Sequence, residues 1–365
     1  AAVSGVLLFG LAGLAHADPD DAPEEPLLED VVPVEELPEV LVTARKWAED
    51  PLVVPQSLTA VTEQQILDAG ASSVREAAFH VPNLTMVELS ARRLSFPFVR
   101  GIGSGQGDPA VTTYVDGVPQ ISPNSANLPL LDVERIEFLR GPQGTLYGRN
   151  ALGGVLHVVA RKPSDTWGFR AGGTLGGYAL REVRFSGNAP IVRDRLALRV
   201  AGLYTRRDGY TINDFTGNDV DSRNTLFGRV QLSWTPDARN EIRFSVHGER
   251  TRDGGFALAD LDGLRARPLR IQQDFEGVSE RDIAAPALTW THTGGRLDLT
   301  SITSFTHTDV LETSDFDFSP LDGIRRRNEE RHDAFTQELR ITPSASCPLR
   351  LGRCAEARWL AGVFF

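Results

Sequence analysis

The sequence is short of several residue types, and each shortage argues against a class of function. Cysteine occurs only at Cys347 and Cys354, and no further cysteine or histidine stands at zinc-site spacing. The seven histidines are scattered, and no Gly-x-Ser-x-Gly stretch offers the nucleophile of an exported hydrolase. Lysine occurs only at Lys46 and Lys162, and no basic stripe indicates nucleic-acid binding. We therefore expect no catalytic residue, metal, cofactor or nucleic-acid partner.

The N-terminal apolar run is too short to cross a membrane as a helix. Residues 1–14 are uncharged and apolar, whereas a transmembrane helix needs about 20 such residues. The run is followed by Ala15-His16-Ala17 and then by acidic residues, which is typical of a secretory signal peptide without its basic start. We expect residues 1–17 to be a signal peptide, with a buried hydrophobic helix as the alternative.

The net charge of −11 is concentrated in one segment. Residues 18–39 carry ten carboxylates and five prolines but no basic residue. Such a segment cannot bury a core, so residues 18–38 are predicted to be a disordered linker. The following stretch, EVLVTARKWAED at residues 39–50, has strand propensity. It is suited to adding itself as a strand to a partner's sheet, although the same pattern fits the first strand of the next domain.

Residues 51–163 are predicted to form one small mixed α/β domain. Thr62-Glu63-Gln64-Gln65 is a capping box that begins a helix, and Ser73-Val74-Arg75-Glu76 begins a second one. VTTYVDGVPQ predicts a hairpin that turns at Asp116-Gly117. Further strands are predicted at QSLTAVT, FPFVRGIG, RIEFLRG and VLHVVAR.

The glycine-rich stretch RIEFLRGPQGTLYGRNALGG does not have the pattern of a nucleotide-binding loop. Gly148 is followed by Arg149 and Asn150, whereas a phosphate-binding loop needs Gly-Lys-Ser/Thr and a helix directly after it. The valines that follow suit a strand, and Pro163 would stop a helix. We interpret these glycines as providing positive-φ turns between short strands.

Residues 164–365 have long segments of alternating polarity. One face carries Leu196, Leu198, Val200, Tyr204, Leu226, Val230, Leu232, Trp234, Ile242, Phe244, Val246, Phe335, Leu339 and Ile341. Arginine and other polar residues occupy the opposite face, which favours a membrane barrel with a polar lumen over a soluble sandwich. Predicted connections alternate between short (192–194, 237–239, 293–295) and long (211–222, 254–280, 311–327). We count about nine strands.

Several motifs together resemble the TonB-dependent outer-membrane receptors, in their branch of iron-complex receptors. ERIEFLRGPQGTLYGRNALGG, with FVRGIG and YVDGVP before it, resembles the plug of that family. YTRRDGY, TQELRIT and WLAGVFF resemble its early barrel. The resemblance implies a plug at 51–163 inside a transmembrane β-barrel that begins at residue 164. The family's barrel has 22 strands, so about nine strands indicate a fragment. The linker is also too short for an N-terminal signalling domain.

The resemblance also implies site residues. EVLVTAR resembles the TonB box, so TonB is expected to bind a docking strand, separate from the plug core, at Glu39, Val40, Leu41, Val42, Thr43 and Ala44. Plug arginines Arg100, Arg140 and Arg149 are expected to meet carboxylates of the barrel wall, with Glu338 as the partner of Arg100 or Arg140. Loops at the plug apex suggest ligand contacts from Arg92, Arg93, Gln106 and Asn124, with a solvated loop as the alternative.

The implied function is active uptake across the outer membrane of a Gram-negative bacterium, energised through TonB. A ferric siderophore or other iron complex is the expected ligand. Cobalamin or a glycan, or a passive porin or adhesion barrel, are the alternatives. Outer-membrane lipid is the expected surrounding. Because the strand count places Cys347 and Cys354 in a periplasmic loop after the eighth strand, we also predict a local disulfide there.

Overall fold

The structure is a computed structural model that describes residues 40–88, 95–105, 107–120, 122, 126–344, 349–351 and 355–365. The predicted signal peptide (1–17) and linker (18–38) lie outside these ranges. Among the helices of the described residues, none has the length and apolar character needed to cross a membrane.

Short elements make up the first part of the described chain. A 3-10 helix at Pro51–Val53 precedes helices α1 (Glu63–Asp68), α2 (Val74–Ala78) and α3 (Gly144–Tyr147). The strands are β1 (Leu58–Thr62), β2 (Leu84–Glu88), β3 (Ser95–Val99), β4 (Ile102–Gly103), β5 (Val111–Val115), β6 (Val118–Gln120), β7 (Val133–Arg140) and β8 (Gly154–Ala160). Five of them form a mixed sheet in the order β1-β7-β8-β5-β6, in which β5 and β8 run parallel. Strands β2, β3 and β4 form a second, antiparallel sheet.

Local sequence explains these short elements. The capping box at Thr62 and Gln65 is formed, with each side chain bonded to the other's backbone N–H. Asp116 and Gly117 both have positive φ, 50° and 86°, as the predicted two-residue hairpin turn between β5 and β6 requires. Only glycine fits at position 154, because a Cβ there would collide with the carbonyl oxygen of Leu139 on β7. The glycine-rich stretch therefore lets β7 and β8 approach closely, and its single turn of helix is α3.

Nine strands of the described residues form one antiparallel sheet in which neighbours in sequence pair. They are β9 (Gly168–Gly176), β10 (Leu180–Val192), β11 (Leu196–Arg207), β14 (Arg223–Asp237), β15 (Asn240–Gly254), β17 (Val278–Thr293), β18 (Leu297–Asp315), β19 (Arg325–Pro343) and β22 (Ala361–Phe364). Smaller elements lie in the connections: β12 (Thr211–Asn213), β13 (Asp219–Val220), α4 (Leu261–Ala266), β16 (Arg270–Ile271), β20 (Leu349–Leu351) and β21 (Ala355–Ala357). The predicted number of strands is confirmed.

The two faces of this sheet differ as the alternation predicts. On β14, Leu226, Val230 and Trp234 are exposed, whereas Phe227 and Arg229 between them are buried. The buried face packs against the mixed domain: Leu131, just before β7, clusters with Phe227 and with Ala201 and Leu203 on β11. One face of the nine-stranded sheet is therefore an apolar outer surface, and the other is an inner wall.

One predicted connection is wrong in length. Residues 311–327 were expected to be a long polar loop, but β18 and β19 are each 19 residues long and leave only residues 316–324 between them. Strands β18 and β19 are longer than the roughly 10 residues that a membrane crossing needs. Their polar ends therefore continue the backbone hydrogen bonding between the two strands. Outside the bilayer, both faces of a strand can be polar.

Three charged contacts between the mixed domain and the wall have the opposite polarity to the one expected. Arg199 on β11 donates two hydrogen bonds to Asp132, at 2.6 and 2.5 Å, and both side chains are buried. Two further wall-to-plug pairs are Arg170–Glu63 and Arg223–Glu88, each at 2.8 Å. In these three pairs the wall supplies the arginine and the inner domain supplies the carboxylate.

We expect Asp132→Asn to weaken the attachment of the inner domain to the wall. Asn tolerates the positive φ of residue 132 (57°) and keeps the shape, but it leaves Arg199 buried without its counter-charge, at a cost of about 3 kcal/mol. In outer membranes that contain the protein produced from its gene, protease sensitivity of the inner domain should appear at a urea concentration about 1–2 M lower. Glu329→Gln, which breaks an exposed pair with Arg327, is the control and should not shift the midpoint. An unchanged midpoint for Asp132→Asn would contradict the expectation.

Candidate functional site

Residues 40–50 pack on the mixed sheet. Val42 and Glu49 form a backbone bridge with hydrogen bonds of 2.9 and 3.0 Å, so the segment folds back on itself. Val42 and Ala44 have no exposed surface and belong to an apolar cluster with Tyr114 and Tyr147. The prediction of a docking strand separate from the plug core is wrong for this state. The reason is that the alternating apolar residues that suit a partner's sheet also fit the chain's own core. Glu39 lies outside the described residues.

Glu137 on β7 holds the segment through its backbone. Both carboxylate oxygens accept the Thr43 N–H, at 2.9 and 3.0 Å, and one accepts the Thr43 hydroxyl at 3.0 Å. Arg135 donates to the same carboxylate at 2.8 Å. His157 accepts the Gly117 N–H at Nε2, which leaves the proton on Nδ1, 3.8 Å from Glu137. Burial by itself raises the pKa of Glu137, but His157, Arg135 and the Thr43 N–H together lower it, so the carboxylate is charged.

Lys46 follows this segment and is buried between the mixed sheet and the wall. Its Nζ lies 3.2 Å from Glu338 on β19 and 5.0 and 4.4 Å from the ring centres of Tyr114 and Tyr147. Tyr147 in turn donates to the carbonyl of Ala44 at 3.1 Å. Burial lowers the pKa of Lys46, and the attraction of Glu338 does not fully offset this. The docked position is therefore electrostatically costly for this lysine.

Glu137 and Lys46 thus have opposite effects on the segment. Glu137 stabilises the docked backbone, whereas the desolvated ammonium of Lys46 opposes docking. A cavity of about 180 Å³ beside Lys46 is lined by both tyrosines, Glu338 and residues of β22.

The predicted partner of Glu338 is wrong. Arg100 donates to the Ser57 hydroxyl at 3.3 Å, and Arg140 donates to the carbonyl of Pro82 at 3.0 Å. Arg149 is exposed, and its carbonyl accepts from Thr112. Arg100 and Arg140 lie where β3 and β7 end in turns, whereas Glu338 faces Lys46. Sequence reasoning missed Lys46 and Glu137, although Lys46 is one of only two lysines and directly follows the box-like stretch.

The other predicted site residues lie outside the described residues. These are Arg92, Arg93, Gln106 and Asn124, as well as Cys347 and Cys354. Their roles and the disulfide stay predictions. Across the described ranges, no group of three or more His, Cys, Asp or Glu side chains is arranged to hold a metal ion.

Comparisons with known proteins show which proteins this chain is similar to. Residues 50–155 match the family model of the TonB-dependent receptor plug domain. The pesticin receptor of Yersinia pestis is 35% identical over 220 residues, 59% of this chain and 32% of that protein. The ferrioxamine B receptor of Salmonella typhimurium is 30% identical over 222 residues, 58% of this chain and 30% of that protein. The solved ferric yersiniabactin uptake receptor FyuA from Yersinia pestis has a TM-score of 0.74 and 28% identity, over 85% of this chain and 48% of that chain.

Fold and comparisons together define an outer-membrane receptor architecture, in which a mixed plug packs against part of a β-barrel. Residues 50–155 match the plug domain of the TonB-dependent receptors, and the chain is similar to the pesticin, ferrioxamine B and ferric yersiniabactin receptors. It spans about a third of the length of the curated relatives that it matches.

We expect Glu137→Gln to release the docked segment. The substitution removes the charge that accepts from Thr43, and hydrogen bonds to charged groups contribute about 1.5–3 kcal/mol. A nitroxide label at Leu41→Cys, in a background with both native cysteines replaced by serine, reports mobility by electron paramagnetic resonance. The mobile fraction should rise about tenfold. Glu134→Gln, on the same strand and paired with the same Arg135, is the matched control and should leave mobility unchanged.

The same label tests the pH dependence. Burial raises the pKa of Glu137, but His157, Arg135 and the Thr43 N–H together lower it below 4.5, so the charge that holds Thr43 is complete at neutral pH and is lost only as the pH falls below 4.5. Mobility of the native segment should therefore rise in that acidic range, whereas the Glu137→Gln variant should lack this component. An equal acid response in both proteins would exclude Glu137 as the holding group.

We expect Lys46→Met to have the opposite effect and tighten docking. Methionine fills the space between the tyrosine rings without a buried charge, and Glu338 keeps Arg340 as a partner at 3.0 Å. Because the variant lacks the desolvated ammonium, the mobile fraction should fall. Lys162→Met, at the only other lysine, is the control. Greater mobility in Lys46→Met would show that the ion pair is a net attraction.

Proposed function

We propose that the protein takes up a scarce ligand across the outer membrane, with energy supplied through TonB, and that the ligand is a ferric siderophore or another iron complex. The observation that carries this proposal is the docked segment 40–44, a strand-like stretch held by Glu137 and opposed by Lys46. An energy-coupling partner needs such a segment: one that is ordered at rest and can be withdrawn and bound as an added strand.

The exposed edge of the segment offers a starting point for that partner. Leu41 is 42% exposed, whereas Val42 beside it is fully buried. A partner strand can therefore pair first at Leu41 and then draw Val42 and Thr43 out of the plug. Pulling breaks the Thr43–Glu137 bonds and moves Lys46 away from Glu338 on the wall, so that tension on the segment reaches the plug–wall contact.

Arginines occur on the side of the plug that is proposed to meet the ligand. Glu88 ends β2 and is approached by Arg75 at 3.8 Å and Arg223 at 2.8 Å. The chain then continues directly into the stretch that contains Arg92 and Arg93. Guanidinium groups favour an anionic ligand, as a carboxylate- or catecholate-bearing iron chelate would be. The apex residues Arg92, Arg93, Gln106 and Asn124 belong to the same proposal.

The domain organisation is proposed accordingly. Residues 1–17 direct export, 18–38 form the periplasmic tether, 39–50 contain the TonB-binding stretch, 51–163 form the plug and 164–365 contribute barrel. The connections 193–195, 238–239 and 294–296 face the periplasm, and the long ones, such as 208–222, face outward, as is usual in barrels of this class.

We expect Leu41→Pro to abolish energised uptake while binding at the cell surface persists. Proline removes an edge N–H and blocks strand addition. A strain that lacks the gene is complemented with the native or variant gene, and binding and uptake of ⁵⁵Fe-loaded siderophores are measured with and without an energised inner membrane. Leu41→Ala, which keeps the backbone N–H, is the control and should transport.

Three outcomes would count against the proposal. Uptake by Leu41→Pro at the native rate would remove the coupling role of the segment. Loss of surface binding as well would make the segment structural. If cobalamin or a glycan is taken up and iron is not, the proposed ligand is wrong, whereas the proposed coupling through the segment still stands.

A further inference from the structure

An unpaired couple of arginines lies on the outer face of the nine-stranded sheet. Arg181 on β10 and Arg206 on β11 stand directly opposite each other in the strand register. Both are exposed and share the face of Val183 and Tyr204, which is the apolar outer face. Of the residues that the structure describes, none forms an ion pair or a side-chain hydrogen bond with either guanidinium. Two like charges directly opposite each other destabilise a strand pair, so this couple needs a neutralising partner.

The other outward arginines show what is missing at this couple. Across β15, β17, β18 and β19, Arg252 pairs with Asp282 at 2.6 Å, and Arg331 pairs with Asp309 at 2.7 Å. Those positions lie at the same end of their strands, towards the long connections. The strand pair β10–β11 thus presents positive charge where the rest of the outer face balances its own.

The position of Arg181 and Arg206 along their strands indicates which part of the membrane surrounds them. Val183, Phe185 and Tyr204, just below the couple, are 58%, 42% and 42% exposed. Further along the same face the strands remain apolar until the turn that contains Arg193 and Arg195. The couple therefore marks the upper border of an apolar band, where a barrel passes from acyl chains to lipid headgroups.

We propose that Arg181 and Arg206 bind a phosphate group of the glycolipid that forms the outer leaflet of the membrane. Two adjacent guanidiniums match a phosphate dianion in charge and in donor geometry. The acyl chains of the same lipid then lie along Val183, Phe185 and Tyr204. The inference rests on the membrane placement given under the proposed function, but it requires neither TonB nor the transported ligand.

The test uses the protein produced from its gene, extracted from outer membranes and placed in nanodiscs of neutral phospholipid. The probe is bis-phosphorylated lipid A, and native mass spectrometry measures its retention. The variant Arg181→Gln/Arg206→Gln should bind lipid A about tenfold more weakly, since each lost charged contact reduces binding by several-fold. The matched control is Arg193→Gln/Arg195→Gln, which removes two exposed arginines at the opposite end of the same strand pair and should bind like the native protein.

Further arms separate the explanations. Arg181→Lys/Arg206→Lys keeps the charge and should recover most of the binding, and dephosphorylated lipid A should bind the native protein as weakly as it binds the Gln variant. Native binding by Arg181→Gln/Arg206→Gln would overturn the proposal, as would equal binding of dephosphorylated lipid A. Weakened lipid A binding by Arg193→Gln/Arg195→Gln would show that net charge, rather than this pair of arginines, causes the effect. Because siderophore uptake by Arg181→Gln/Arg206→Gln is expected to continue, failure of the transport proposal and failure of this one are distinguishable.

Discussion

The structure depends on backbone hydrogen bonding within one continuous antiparallel sheet. A surface in contact with lipid leaves peptide groups no water to bond, so each strand must satisfy its neighbours along its whole length. The nine strands pair in sequence order and provide this ladder. The pleat then sends alternate side chains to opposite faces, so a single pattern produces both an apolar exterior and a polar wall. The plug, the wall contacts and the outer arginine couple are all positioned by that alternation.

On the inner face, charge is used to attach the plug. Wall arginines such as Arg199 reach carboxylates of the plug such as Asp132. These pairs are flanked by apolar contacts, including those of Leu131 and Val118 with wall residues. A buried pair is weakly stabilising when intact but costly to break halfway. Attachment of this kind favours a plug that stays fixed as a unit.

The segment 40–50 is held differently, because its two charged anchors have opposing effects. Glu137 binds the Thr43 backbone with a carboxylate whose pKa is lowered by its donors. Lys46 is placed where burial lowers its pKa, which means that the protonated side chain is more stable in water. The docked state therefore combines a carboxylate that holds the backbone with a lysine whose charge is partly desolvated.

The sequence alone was sufficient for those features that depend on local pattern. Alternation along Leu226–Trp234 defined the outer face, the capping box at Thr62 began α1, and Asp116-Gly117 made the hairpin turn, because each of these follows from a few neighbouring residues. Tertiary structure decided the rest. Whether Val42 binds a partner or the plug, and whether Glu338 meets Arg140 or Lys46, depends on register and on which groups face each other across the lumen. Alternation along a strand shows which face of the sheet a side chain lies on, but it does not show which residue lies opposite that side chain.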